Sequence, residues 1–344
     1  MDTHTNWPVL KARAAAIRSQ SPAAGVQSSF EVFNDGHTNE TRGLLERRNL
    51  AEPVYATLIF GRHQLPFATP AQAREIWGCE ARRPNYLASA DDSWGMDPLE
   101  ALRAESGLVA VVGAGGKKTT LYALAARAAR DRSLRAAVTA TVRIPIFDRR
   151  VERVVITDDP AAALERAESW PIGVVPEREG EDRYVGYEPA VVDDLAATDA
   201  ADLLLVKADG ARTREFKAPN DREPQLPASV DTVVPIASVR AVGEPLAAAT
   251  VHRPERVAAI TGLDRGDAIR PVDVARVLAS DRGGLKGVPE GTTVVPLLNK
   301  VDGPELRETA TAIGRELLER APAVSQVVLA RMIDDEPIVD VLER

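Results

Sequence analysis

The segment Gly113-Ala114-Gly115-Gly116-Lys117-Lys118-Thr119-Thr120 lies between two apolar stretches of different character. Before it runs Leu108-Val109-Ala110-Val111-Val112, short and continuous; after it comes Leu121-Tyr122-Ala123-Leu124-Ala125-Ala126. A buried strand, a glycine turn, then lysines and hydroxyls opening a helix form a layout for holding phosphate. Glycines let the backbone fold tightly and aim its N–H groups at phosphate oxygens. The helix N-terminus adds partial positive charge. A lysine then reaches the β- and γ-phosphates, and a threonine hydroxyl ligates Mg²⁺. The spacing departs from G-x4-G-K-[ST], because Val111 and Val112 stand where the first glycine is expected.

A dinucleotide-binding turn is the rival reading, since Gly113-Ala114-Gly115 fits the start of G-x-G-x-x-G. Against it, Lys118 stands where the third glycine would allow close packing of helix on strand. The next apolar strand also ends in Thr139-Ala140-Thr141 rather than in an acidic ribose ligand.

Three further segments carry chemistry. Leu203-Leu204-Leu205-Val206-Lys207-Ala208-Asp209-Gly210 reads as an apolar strand ending in a carboxylate, the pattern that holds Mg²⁺ near a nucleotide's phosphates. Asn299-Lys300-Val301-Asp302, directly after another apolar run, matches the N-K-x-D guanine-recognition pattern. Thr139 and Thr141 stand at a strand end where hydroxyls meet Mg²⁺ or the γ-phosphate. The expected site is thus nucleotide contacts from Gly113, Gly115, Gly116, Lys117, Lys118, Thr119, Thr120, Asn299, Lys300 and Asp302. Metal contacts are expected from Thr119, Asp209 and Thr141, with Lys118 and Asp209 as the catalytic pair. The ligands implied are Mg²⁺ with GTP or ATP.

The chain of 344 residues carries a formal charge of −8, which argues against nucleic acid or an anionic membrane surface as partner. No apolar run approaches the roughly 20 residues that cross a bilayer. Lys11, Arg13 and Arg18 interrupt any signal-peptide core, so the cytoplasm is the expected compartment. A single cysteine, Cys79, excludes an internal disulfide framework. Only seven of the 43 basic residues are lysine, and five of those seven (117, 118, 207, 217, 300) fall in the segments just described. Arginine does not readily replace a compact ammonium among phosphates. Excess acid with few lysines fits a salt-adapted source, and high-GC codon bias fits the same numbers. Salt adaptation predicts unfolding in low salt and recovery in molar KCl.

The charge divides unevenly. Residues 1–95 hold ten basic and ten acidic residues, whereas 96–344 hold 33 and 41. Residues 1–95 show little periodicity and read as an N-terminal extension: a flexible arm, a segment upstream of the true start, or a small accessory domain using Tyr55 to Phe60 as a strand. Residues 96–344 read as a phosphate-loop nucleotide-binding domain. Strands are predicted at 108–112, 135–139, 153–156, 203–206, 232–236, 294–298 and 326–329, and helices at 119–130, 160–168, 254–261, 271–279 and 304–320. Short continuous Val/Ile/Leu runs fit strands covered on both faces, and their alternation with helices predicts an α/β fold with a mainly parallel sheet. Residues 177–187 read as an exposed hairpin or loop.

These motifs resemble the YqeC family. The resemblance rests on Gly113–Thr120, the threonines at 139–141, Ala208-Asp209-Gly210-Ala211, Phe216-Lys217-Ala218-Pro219, Glu223-Pro224 with Pro227, His252-Arg253-Pro254-Glu255 and Asn299-Lys300. It covers residues 100–335 and implies a P-loop NTPase-like accessory protein for selenium or molybdenum cofactor maturation. The implied partner is a molybdenum hydroxylase or a cofactor-biosynthesis protein. Lys217 and Glu223 are expected to form a nucleotide-responsive switch or an acceptor contact. Lys207 departs from the glutamate common at that position in the family. The motifs leave three activities open: nucleotide hydrolysis, nucleotide sensing without hydrolysis, and phosphoryl or nucleotidyl transfer to a cofactor.

Overall fold

The computed structural model describes residues 96–344 and the backbone of two short strands before them. The chain divides into two compact units, Met1–Leu87 and Ala88–Arg344. In the first, β1 (Ser29–Val32) and β2 (Tyr55–Leu58) pair in parallel. The strand expected from Tyr55 therefore exists. Cys79 and the question of a flexible arm or an upstream start lie outside the described residues.

The second unit begins with α1 (Pro98–Ala101), β3 (Gly107–Gly113), α2 (Lys117–Arg132), β4 (Ala136–Ala140) and β5 (Ile144–Pro145). It continues through β6 (Arg153–Ile156), α3 (Pro160–Glu165), β7 (Ile172–Val175), β8 (Arg178–Glu179), β9 (Arg183–Tyr184), α4 (Pro189–Ala196) and β10 (Leu203–Lys207). Then follow β11 (Phe216–Lys217), β12 (Thr232–Ser238), β13 (Val251–His252), α5 (Pro254–Thr261) and α6 (Pro271–Leu278). The end is β14 (Thr293–Val294), β15 (Leu297–Asn299), α7 (Pro304–Arg320), β16 (Gln326–Ala330) and β17 (Ile338–Glu343).

The main sheet has the order β17-β16-β15-β12-β3-β10-β4-β7-β6, with β14 also on β12. Every pairing in it is parallel except β16–β17. The fold is therefore α/β with a mostly parallel sheet between helices, as the alternation predicted. Alternate residues of β3 serve opposite faces, as the period of two requires. Val109 and Val111 join the core under α2 with Leu121, Leu124 and Ala128. Leu108, Ala110 and Val112 join Leu164 of α3 and Val192 and Leu195 of α4 on the other side. A third cluster seals α6 and α7 onto the β12–β15–β16 end.

All seven predicted strands are present within a few residues, although Pro296 splits the run 294–298 into β14 and β15. Besides the short α1, β5, β11 and β13, three elements escaped the pattern. Strand β7 is only four residues long, α4 lies in a mixed Ala/Asp run, and β17 alternates weakly as an antiparallel edge. The segment 177–187 is a hairpin, β8–β9, joined by β5 in a small antiparallel sheet. It is less exposed than expected, because Tyr184 and Tyr187 are buried.

From β3 the chain crosses to β4 on one side, and it later adds β12, β15 and β16 on the other. Ligands of open α/β sheets bind beyond the strands' carboxyl ends, where the strand order reverses in this way. The loop Gly113–Thr120 lies at that place. Among the described residues six of the seven α-helices begin on a proline, which brings no N–H to the first turn. Among these described helices only α2, which opens on Lys117 after Gly116, keeps its full set of first-turn donors.

Candidate functional site

The glycine loop is held in shape by what surrounds it. Gly115 has φ +88°, and a Cβ there would lie 2.5 Å from Ser238 N; Gly116 has φ +144°, and a Cβ there would strike the Asn299 amide. Glycine is required at both. Asn299 explains the second contact: buried at the end of β15, it donates from Nδ2 to Gly115 O at 2.9 Å and accepts at Oδ1 from Met332 N at 3.0 Å. One amide thus ties the loop to the turn after β16. Gly113 N donates to Asp209 Oδ2 at 2.8 Å, Ala114 N to Ile236 O at 2.8 Å and Gly115 N to Arg214 O at 3.0 Å. The N–H groups of the first turn of α2 follow directly, and no carbonyl of the helix itself can accept from them.

Beneath the loop lies a knot of buried charge. Asp209, 2 % exposed, has Lys117 Nζ 2.7 Å from Oδ1 and Lys217 Nζ 2.8 Å from Oδ2. Lys117 Nζ also donates to Gly113 O, so its ammonium is shared between that carbonyl and the Asp209 carboxylate. Lys217 further donates to Gly210 O at 2.6 Å and to Glu223 Oε2 at 2.8 Å, and Arg253 reaches the same Glu223 oxygen at 2.7 Å. Burial pushes the Asp209 carboxyl up, but Lys117 and Lys217 outweigh it and hold it below the usual carboxylate range. Glu223 is held down in the same way, its burial outweighed by Lys217 and Arg253. Burial lowers the Lys117 ammonium, partly offset by Asp209. Burial and then the Lys117 charge bring Lys207, whose Nζ donates to Arg143 O at 2.8 Å, down to about 7.

The structure places the expected residues as follows. Lys117 is buried against Asp209, whereas Lys118 is half-buried and has no partner among the described residues. Thr120 is buried and donates to Gly116 O at 3.2 Å; Thr119 is exposed. Thr139 donates to Val174 O at 2.8 Å and Thr141 to Gln225 O at 2.6 Å. Lys217 and Glu223 meet Asp209 as one network, more deeply buried than an open acceptor contact. Lys300 Nζ lies 2.7 Å from both oxygens of Glu215. Asp302 is clamped between Arg240 Nε at 2.8 Å and Arg331 Nε at 3.0 Å.

Mg²⁺ does not fit this donor set as it stands. Both Asp209 oxygens face ammonium groups, and the Thr141 hydroxyl is spent on a backbone carbonyl. Among the described residues no three His, Cys, Asp or Glu side chains lie close enough to share an ion.

Above the loop opens a cleft of ≈ 510 Å³. Eight of its seventeen lining residues are lysine or arginine, and one, Asp182, is acidic. Lys117, Lys118, Lys207 and Lys300 were legible as motif residues. Arg212 and Arg214 follow Asp209 closely, so proximity in sequence was the available signal. Arg143 and Arg183 arrive from the β5 and β9 segments, and nothing local marked them.

The sequence model of the YqeC protein family matches residues 109–255. That span holds the glycine loop, Asp209, Lys217, Glu223 and Arg253, and it excludes Asn299–Asp302. The uncharacterized protein YqeC of Escherichia coli (strain K12) is 28% identical over 195 residues, 56% of this chain and 75% of that protein. Both matches are to the YqeC family, and the span matched by the family model holds the charge knot and every lining residue of the cleft except Lys300.

Proposed function

We propose that the second unit binds the phosphates of a nucleoside triphosphate in the cleft above Gly113–Thr120. The observation that carries this reading is the cleft's lining, eight lysine and arginine side chains to one carboxylate, of which Lys118, Arg212 and Arg214 have no ion-pair partner among the described residues. Cations gathered in a concave, low-dielectric wall focus the field on an anion. The first-turn N–H groups of α2 supply directed donors for it. Lys117 exchanges its Asp209 partner for a phosphate oxygen, a move of one flexible side chain.

Between ATP and GTP, the guanine preference rests on Asp302, and its carboxylate is occupied by Arg240 and Arg331. ATP and GTP are therefore expected to bind alike. Hydrolysis or transfer remains part of the proposal, with Lys207 as the group able to take a proton near neutral pH. From the resemblance to YqeC comes the wider role, maturation of a selenium-dependent molybdenum hydroxylase or its cofactor.

Calorimetry with tripolyphosphate, ATP and GTP, with and without Mg²⁺, tests the reading. Binding near one equivalent is expected, weakened at least tenfold in Lys117→Ala and several-fold in Lys118→Ala. No heat of binding for any of the three ligands would overturn it. Phosphate release on addition of nucleotide separates hydrolysis from sensing.

A further inference from the structure

A second cavity, of ≈ 630 Å³, opens on the other side of Lys118 and Thr119, which line both spaces. One stripe of α2 forms its floor: Thr119, Tyr122, Ala123, Ala126, Arg127 and Arg130 recur at helical spacing. The turn at Asp148–Arg150 brings Arg149 and Arg150, and the segment after β16 brings Met332 to Asp335.

Two properties mark this groove. The first is unspent positive charge. It holds five cations against Asp334 and Asp335, and Asp334 is already paired with Arg331 at 3.0 Å. Of the five, Arg130 is paired with Asp131 at 2.6 Å, while Lys118, Arg127, Arg149 and Arg150 have no ion-pair partner among the described residues. Elsewhere on this unit some arginines, such as Arg132, Arg135 and Arg270, are bound to carboxylates and others, such as Arg153 and Arg222, stand apart; here four unpaired cations line one concave space. Like charges held together without counter-charge repel. The second property is exposed apolar surface. Ile333 is 78% exposed, the most exposed large hydrophobic among the described residues, and Tyr122 and Ile146, partly buried against the core, line the same space.

We propose that this groove binds a second small ligand, an organic anion with a flat apolar body, beside the nucleotide. Its phosphate, sulfonate or carboxylate meets Arg127, Arg149 and Arg150, whose planar guanidinium groups suit two-point contact with such groups. Its body covers Ile333 and Tyr122. A concave space of this size lies within the range of about 300–1,000 Å³ typical of small-molecule sites, which favours a small molecule over a protein surface. The shared Lys118 and Thr119 place this ligand next to the phosphate cleft, the adjacency a transfer reaction needs. The inference adds a site to the proposed nucleotide cleft and is tested independently of it.

The probe is 8-anilinonaphthalene-1-sulfonate, a flat aromatic body with one fixed negative charge, titrated by fluorescence into the full chain. Saturable binding at one equivalent is expected, weakened at least tenfold in the Arg149→Ser/Arg150→Ser variant and several-fold in Ile333→Ser. These are exposed side chains, and retained circular dichroism checks that each variant folds. Binding that persists within tenfold of wild type is expected in saturating tripolyphosphate, because the two spaces share only Lys118 and Thr119. Three results would overturn the second site: no binding to wild type, binding indifferent to the groove variants, or displacement by tripolyphosphate. If the probe behaves as expected while tripolyphosphate does not bind at all, the nucleotide reading fails and the groove stands.

Discussion

Lys207 turns the buried charge under the loop into a measurable pH dependence. Lys207 is 5 % exposed, and burial, then the Lys117 charge, lower its ammonium from 10.5 to about 7, partly offset by Asp209. Between these two values the unfolded chain binds a proton that the folded chain does not, so stability rises with pH across that window. One proton corresponds to a slope of at most about 1.4 kcal/mol per pH unit. Integrated over the window, Lys207 alone makes the fold about 2 kcal/mol more stable at pH 9 than at pH 7. Lys117, also lowered by burial, adds to the same sign. His252, lowered by burial, Arg253 and Lys217 to about 4, acts below this window. Tyr122 and Tyr187, raised by burial, act against the trend only near pH 10 and above. The assay is urea unfolding followed by circular dichroism at pH 7 and pH 9 and constant salt, on wild type and Lys207→Met. Loss of the bond to Arg143 O shifts the variant equally at both pH values, so the difference between the two profiles isolates the titration. Wild type is expected to gain about 2 kcal/mol more than the variant between the two pH values. Parallel profiles would refute the argument, because Lys207 would then keep its charge in the fold.

Asn299→Ala removes two buried bonds at once and leaves Met332 N and Gly115 O unpaired; a loss of about 2–4 kcal/mol is expected in the same urea assay. It should also weaken tripolyphosphate binding, since the loop loses its tie to β15. Lys217→Met strands Asp209 and Glu223 without their shared ammonium and should cost about 3–5 kcal/mol, with Lys217→Arg failing to restore it in a side chain 1% exposed. Asp302→Ala should leave the ratio of ATP to GTP affinity within about twofold by calorimetry, the result expected for a carboxylate already held by two arginines.

Local patterning carried much of this protein. Continuous apolar runs marked the buried strands because a strand covered on both faces has no polar side to show. Gly113–Thr120, Asp209 and Asn299 were visible because each stands where an apolar run stops, and the connectivity of a parallel sheet brings all such strand ends to one edge. The scarcity of lysine singled out Lys117, Lys118, Lys207, Lys217 and Lys300, and all but Lys217 line the cleft, with Lys217 one contact beneath it on Asp209. Partnership was another matter. Nothing in the order of residues says that Asp209 is neutralised by lysines 92 positions before it and eight after it, or that Arg240 and Arg331 close on Asp302. Those pairings follow from which loops lie side by side once the sheet is assembled. Burial, on which the state of Lys207 depends, likewise exists only when β10 is enclosed between β3 and β4. The chain's own order thus settles which residues reach the sheet's carboxyl edge. Their charges, partners and free hydrogen-bonding groups are set by long-range packing, because electrostatic energy depends on distance and solvent exposure rather than on separation along the chain.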